Sequence, residues 1–177
     1  MRAISVVACA ALVAGCSALS TPTTPSKVAR AQARHEYPAP PPPAETITGG
    51  GAPGAVAAIR TFAEVYINWN ASTVARRMLA LAAGSVGQAR SVVALAASET
   101  AGDYELRRGG IANSGTVEAV AQLPGRGNEY VVVTRERTTA TNSSAYEGLA
   151  PAWHVTLASA RQVAPGVWAV SGWQPES

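Results

Sequence analysis

The stretch Glu129-Tyr130-Val131-Val132-Val133-Thr134-Arg135-Glu136-Arg137-Thr138 decides the fold. It is rich in β-branched residues, the composition that suits a pleated and half-buried surface. Just before it, Pro124-Gly125-Arg126-Gly127-Asn128 has the chemistry of a turn. Before that turn, GTVEAVAQL (115–123) alternates Val117, Ala119, Ala121 and Leu123 against Thr116, Glu118, Val120 and Gln122. A period of two predicts a strand, joined to the first as a hairpin. Past a polar loop, AWHVTLASARQV (152–163) predicts a third strand. Pro165-Gly166 then turns the chain, and VWAVSGW (167–173) predicts a fourth.

Upstream of the strands the period changes. In GAVAAIRTFAEVYINW (54–69), Val56, Ile59, Phe62, Ala63, Tyr66 and Ile67 follow the spacing of an amphipathic helix. Asn70 to Thr73 supplies a turn with capping residues. TVARRMLALAA (73–83) carries Val74, Met78, Leu81 and Ala82 and stops at Gly84. SVGQARSVVALAAS (85–98) carries Val86, Ala89, Val93 and Ala96. Helices followed by hairpin-linked strands make an α+β domain. The expected architecture is three N-terminal helices packed on a curved four-stranded antiparallel sheet, over residues 54–177.

The first 53 residues have another character. Arg2 precedes an apolar run, Ala3–Ala14, too short to cross a bilayer but matching a secretory leader. It ends in Val13-Ala14-Gly15-Cys16-Ser17, which resembles the bacterial lipobox. That resemblance implies a signal peptide over residues 1–15 and a diacylglycerol on Cys16, so that the domain is exported and anchored to the cell membrane. The alternative is a plain cleaved leader in which Cys16 is incidental. Residues 16–53 hold TPTTPSK, YPAPPPPAE and GGGAPG, a Pro- and Gly-rich tether that cannot bury enough apolar surface to fold. Within it, Pro38–Pro43 is expected to be extended and Gly49-Gly50-Gly51 to be a flexible joint.

AIRTFAEVYINWN (58–70) and GVWAVSGWQPES (166–177) look like the first helix and last strand of the nuclear transport factor 2-like, cone-shaped fold. IANSGTVEAV (111–120), YVVVTRERTT (130–139) and PAWHVTLA (151–158) resemble small actinobacterial extracytoplasmic proteins related to the conjugal transfer protein TcpC and to type IV secretion scaffolds. The resemblance implies a non-catalytic accessory or assembly component of a conjugative or secretion-like envelope complex. Those scaffolds carry a transmembrane helix where this chain carries a lipobox.

Composition excludes several chemistries. Hydrophobic residues make up 47% but aromatics only 6%, so Ala and Val supply most of the apolar surface. A net charge of +3 without a basic cluster does not suit a nucleic-acid binder. Cys9 and Cys16 both precede the domain, which leaves it no disulfide and no thiolate metal site. No metal and no cofactor is expected. Arg76-Arg77, Arg107-Arg108 and the pair Arg135 and Arg137 are interspersed with Glu129, Glu136, Asp103 and Glu105, as on a solvated face; protein partners or self-association are the second reading.

Three sets of residues remain as site candidates. Ala83-Gly84-Ser85-Val86-Gly87, with Asp103 and His154 following, imitates a hydrolase elbow, but the elbow must follow a strand and here it follows a helix. His154 with Asp103 and Glu105 would suit acid–base work in a cavity; a structural or surface histidine is the plainer reading. Tyr66, Trp69, Trp153, Trp168 and Trp173 either fill the core or line an apolar cavity for a small molecule. The expected lining is Tyr66, Trp69, Trp153, His154 and Trp173.

Overall fold

The computed structural model describes residues 44–176. The leader, Cys16 and the Pro38–Pro43 run lie outside the described residues. Within them the chain is an α+β domain in which helices precede a curled antiparallel sheet. Helices α1 (Ala55–Ile67), α2 (Val74–Ala83) and α3 (Gly87–Ala101) are followed by a short α4 (Tyr104–Gly109). The strands are β1 (Trp69–Asn70), β2 (Ala112–Gln122), β3 (Glu129–Thr139), β4 (Ala152–Ala164) and β5 (Val167–Pro175). They pair in chain order, β1-β2-β3-β4-β5, all antiparallel.

Two counts differ from the sequence expectation. The sheet has five strands, because Trp69 and Asn70 leave α1 and pair with Asn113 and Ala112. A fourth helix also forms, where the Asp103 carboxylate accepts from the Leu106 N–H at 2.9 Å and Gly110 closes the last turn at φ 61.

The inner face of the sheet is set on β3, where Tyr130, Val132 and Thr134 are buried while Arg135 and Arg137 are exposed. On β2 the expected alternation breaks. The register slips between Val117 and Ala119, so Val120 turns inward and Ala119 and Ala121 face solvent. A bulge reverses the parity of every residue beyond it and bends the strand. Two more register shifts, at Ser159/Ala160 and Gln162/Ala164, curl β4 and β5 in the same way.

Helix α1 lies in the resulting trough with Ile59, Phe62, Ala63 and Ile67 buried. The Trp173 indole from β5, 1% exposed, meets it there. Its ring centroid is 4.8 Å from Phe62 and 5.2 Å from Tyr66. Val132, Ala158, Ala160 and Val170 pack into the same core, and α2 and α3 close it with Val74, Met78, Leu81, Ala89 and Val93. Gln88, at the start of α3, clasps β5 through both amide atoms: Nε2 donates to the Trp173 carbonyl at 3.1 Å and Oε1 accepts from the Trp173 N–H at 2.7 Å. The backbone of this edge strand thereby gains partners that no further strand supplies.

The segment before α1 is seated, although its Gly-rich composition suggests a free joint. Thr48 N–H donates to the Ala83 carbonyl at 3.0 Å, and Ala52 exchanges backbone hydrogen bonds with Trp168 at 3.1 and 2.8 Å. Glu45 pairs with Arg161 and also accepts from the Gly87 N–H at 3.0 Å, at the start of α3. Gly51 sits at φ +103, and a Cβ there would fall 2.8 Å from Val167. Glycine therefore serves close approach in a left-handed conformation at this point.

Truncating the indole that joins α1 to β5 should cost about 3–5 kcal/mol, the usual range for a buried aromatic. Urea unfolding of Trp173→Ala, followed by far-ultraviolet circular dichroism, measures the loss; a change under about 1 kcal/mol would show that α1 is held by other contacts.

Candidate functional site

One end of the trough stays hollow. A cavity of about 580 Å³ lies between α1, α2, α3 and strands β2–β4. Its lining is apolar at Tyr66, Trp69, Val74, Met78 and Ala96, with Thr100 beside them on α3. The sheet also contributes polar side chains, beside Trp69: Asn113, Glu136, Thr138 and His154. Leu149, Ala150 and Ala152 form part of the rim. A smaller cavity of about 290 Å³ sits beneath the Gly50–Ala52 strap, lined by Phe62, Val65, Leu81 and Trp168 and mostly apolar. An apolar pocket with a few converging polar groups is the usual form of a small-molecule site, and the larger cavity has that form.

The polar wall is a hydrogen-bonded set built on alternate residues of β3. Thr134, Glu136 and Thr138 share the inner face of that strand. The Glu136 carboxylate accepts from the Thr134 hydroxyl at 2.6 Å and from the Asn113 amide at 2.7 Å. The same amide donates to the Ile67 carbonyl at 2.8 Å, where α1 ends. The Thr138 hydroxyl donates to the Asn113 Oδ1 at 3.1 Å. Asn113 is buried and thus ties the end of α1 to both β2 and β3. Gly115 pairs with Glu136 in the ladder, and a Cβ there would stand 2.6 Å from the Arg135 carbonyl and 3.0 Å from the Glu136 Cγ. Its missing side chain leaves room for the Arg135 carbonyl and the Glu136 Cγ methylene.

His154 pairs with Thr134 across β3 and β4, so its side chain belongs to the inner face and the cavity. It is exposed at the mouth. Of the expected lining residues, Tyr66, Trp69 and His154 do line the cavity. Trp173 does not, because it is spent in the core beneath the floor. Trp153 is a clear correction: it is 62% exposed on the outer face, with the Arg135 guanidinium 5.7 Å from its ring centre. Adjacent strand residues point to opposite faces, so Trp153 and His154 cannot share a cavity. Trp168 lines the smaller cavity under the strap.

The other candidates are committed to structure. Asp103 caps α4, and Glu105 pairs with Arg108 at 3.7 Å on the exposed surface. Ser85 is fully buried, and its hydroxyl donates to the Leu81 carbonyl at 2.7 Å. The carboxylate that shares the inner face with His154 is Glu136, which a reading by charge pattern places with its arginine neighbours. Parity carried along β3 from Tyr130, Val132 and Thr134 puts Glu136 inside.

The Tyr66 hydroxyl is held above the ordinary phenol pKa of 10.0. Burial is the main cause. The nearby Trp173 indole N–H, which lacks a partner of full hydrogen-bond geometry, opposes the shift, and the negative charge of Glu136 adds to it.

Comparison with known proteins assigns no family: no family model matches the chain, and neither a curated protein nor a solved structure gives a significant match.

A raised phenol pKa means that the native state holds the proton more tightly than the unfolded chain. The corresponding stability is fully present below pH 10.0 and is lost as pH rises through the shifted value. The difference titration at 295 nm between wild type and Tyr66→Phe should therefore place this phenol above 10.0, and the variant should lose less stability with rising pH. A midpoint at or below 10.0 would mean that the phenol is solvated.

Proposed function

We propose that the chain is an exported binding protein, anchored to the bacterial membrane through Cys16, whose cone-like domain takes a small molecule into the 580 Å³ cavity without transforming it. The observation that carries this reading is the presence, in one cavity, of an apolar lining and a hydrogen-bonded polar set, a combination that suits an amphipathic guest. The nuclear transport factor 2-like architecture agrees with helices laid in the trough of a curled antiparallel sheet. Binding is preferred to catalysis because acid–base work needs a fixed proton carrier at the reacting atom, whereas His154 stands exposed at the mouth and Asp103 and Ser85 are structurally committed.

A second reading keeps the chain as an accessory or assembly component of a conjugative or secretion-like envelope complex. The outer face of the sheet favours it, since Trp153 and Val155 are 62% and 41% exposed there, beside Arg135. A photocrosslinker at position 153 in the native envelope should then capture coupling or channel components of a conjugation apparatus. Crosslinks that yield none of them would remove this reading.

For the binding reading, native mass spectrometry of protein released from its own membrane should show a retained small molecule. Ala96→Trp places an indole in the hollow and should weaken affinity by about tenfold or more, equivalent to about 1.4 kcal/mol, and so lower the retained fraction. A ligand-free mass for wild type, or full occupancy in the variant, would reject the cavity as the site.

A further inference from the structure

The cavity holds one carboxylate, and its one imidazole, His154, is exposed at the mouth. Glu136 brings a carboxylate to its wall, and no Lys or Arg side chain is among the lining residues. Among the described residues the ion pairs use Glu105, Glu129 and Glu45, and Glu136 belongs to none of them. Its sequence neighbours Arg135 and Arg137 are cationic, but strand alternation sends both to the outer face, where Arg135 sits over Trp153. Two neutral donors, from Asn113 and Thr134, orient the carboxylate without neutralising it. A partly buried carboxylate in a half-apolar hollow gains most from a cationic partner. The rings of Tyr66 and Trp69, whose faces attract cations, and the polarizable thioether of Met78 line the same cavity.

We propose that the cavity is selective for organic cations: a protonated amine or quaternary ammonium head, held by Glu136 and the rings of Tyr66 and Trp69 and carried on a small apolar body. This rests on the binding reading given above. The volume of about 580 Å³ suits a guest with roughly one ring or a short chain behind its head group, rather than a bare metal ion. An anionic guest would meet Glu136 with no cation of the Lys or Arg type to offset it.

The test compares three probes of similar shape on the full lipidated chain in zwitterionic nanodiscs, with empty nanodiscs as the blank. The probes are 2-phenylethylammonium, 2-phenylethanol and 3-phenylpropanoate, titrated by calorimetry. The cation should bind about tenfold or more tightly than the alcohol, and the carboxylate most weakly. Glu136→Gln should remove the preference for the cation while leaving the affinity for the alcohol within about twofold. Ala152 pairs directly with Glu136 and is exposed, so Ala152→Lys supplies an internal cation at a position that folding tolerates; it should also abolish the preference. Equal binding of cation and alcohol to wild type would overturn the proposed selectivity and leave the cavity as a neutral binding site. A cation preference that survives in a folded Ala152→Lys protein would overturn the role of Glu136. Binding of none of the three would overturn both the selectivity and the binding reading beneath it.

Discussion

The contact between Trp173 and the pair Phe62 and Tyr66 is the constraint on which the rest of the domain depends. It fixes how far α1 sinks into the curled sheet. With ring centroids at 4.8 and 5.2 Å, the helix is held at aromatic distance from β5 along one part of its length. Below the cluster the space is closed by Val132, Ala158, Ala160 and Val170. Above it, the helix continues to Ile67 while the sheet curls away, and the gap becomes the cavity. Tyr66 belongs to both regions: its ring meets Trp173 and also lines the hollow. One aromatic cluster is therefore both the top of the core and the floor of the candidate site.

The polar wall follows from β3, the same strand that organises the sheet. Its inner face runs from Tyr130 and Val132 through Thr134 to Glu136 and Thr138, so it turns from apolar to polar at the level where α1 ends. Polar groups placed lower would be buried without water, at a cost of about 1–3 kcal/mol each if unpaired. Where they stand they bond one another, and the Asn113 amide joins Glu136 to the Ile67 carbonyl. The network thus completes the last backbone groups of the helix while it orients the carboxylate. The same hydrogen bonds hold the end of α1 and shape the cavity, so Asn113 is a stabilising residue as much as a lining one.

Most of the secondary structure was legible because it rests on local period. The three long helices and four long strands carry repeats of 3.6 or 2 that a single sequence displays, as in Ile59, Phe62, Ala63 and Tyr66. The elements that escaped are those with too few residues to show a period: Trp69–Asn70 as a strand, and Tyr104–Gly109 as a helix. The strap escaped for a different reason. Glu45 and Arg161 are 116 residues apart, and nothing local in TITGGGAP marks the groove that receives it. At the site, parity was the informative signal. It separates Trp153 from His154 and places Glu136 inside, but only when counted along β3, since the bulge in β2 inverts it after Val117.

The hollow itself traces back to composition. The domain draws its apolar surface from Ala and Val, with few large side chains to distribute. Trp173 and Phe62 are used where α1 crosses the sheet, and in the upper part of the trough Tyr66, Trp69 and Met78 are faced by small residues such as Ala96, Ala150 and Ala152. An apolar gap of this kind loses dispersion contacts and would favour collapse of the helices onto the sheet. Two features oppose collapse. The clasp of Gln88 on Trp173 and the hydrogen bonds between Thr48, Ala52 and their partners hold α2 and α3 at a set distance from β5. The polar wall makes the gap hospitable to water or to a polar guest, which an apolar void is not. The cavity thus stays open where small side chains and a satisfied hydrogen-bond network meet above the aromatic cluster.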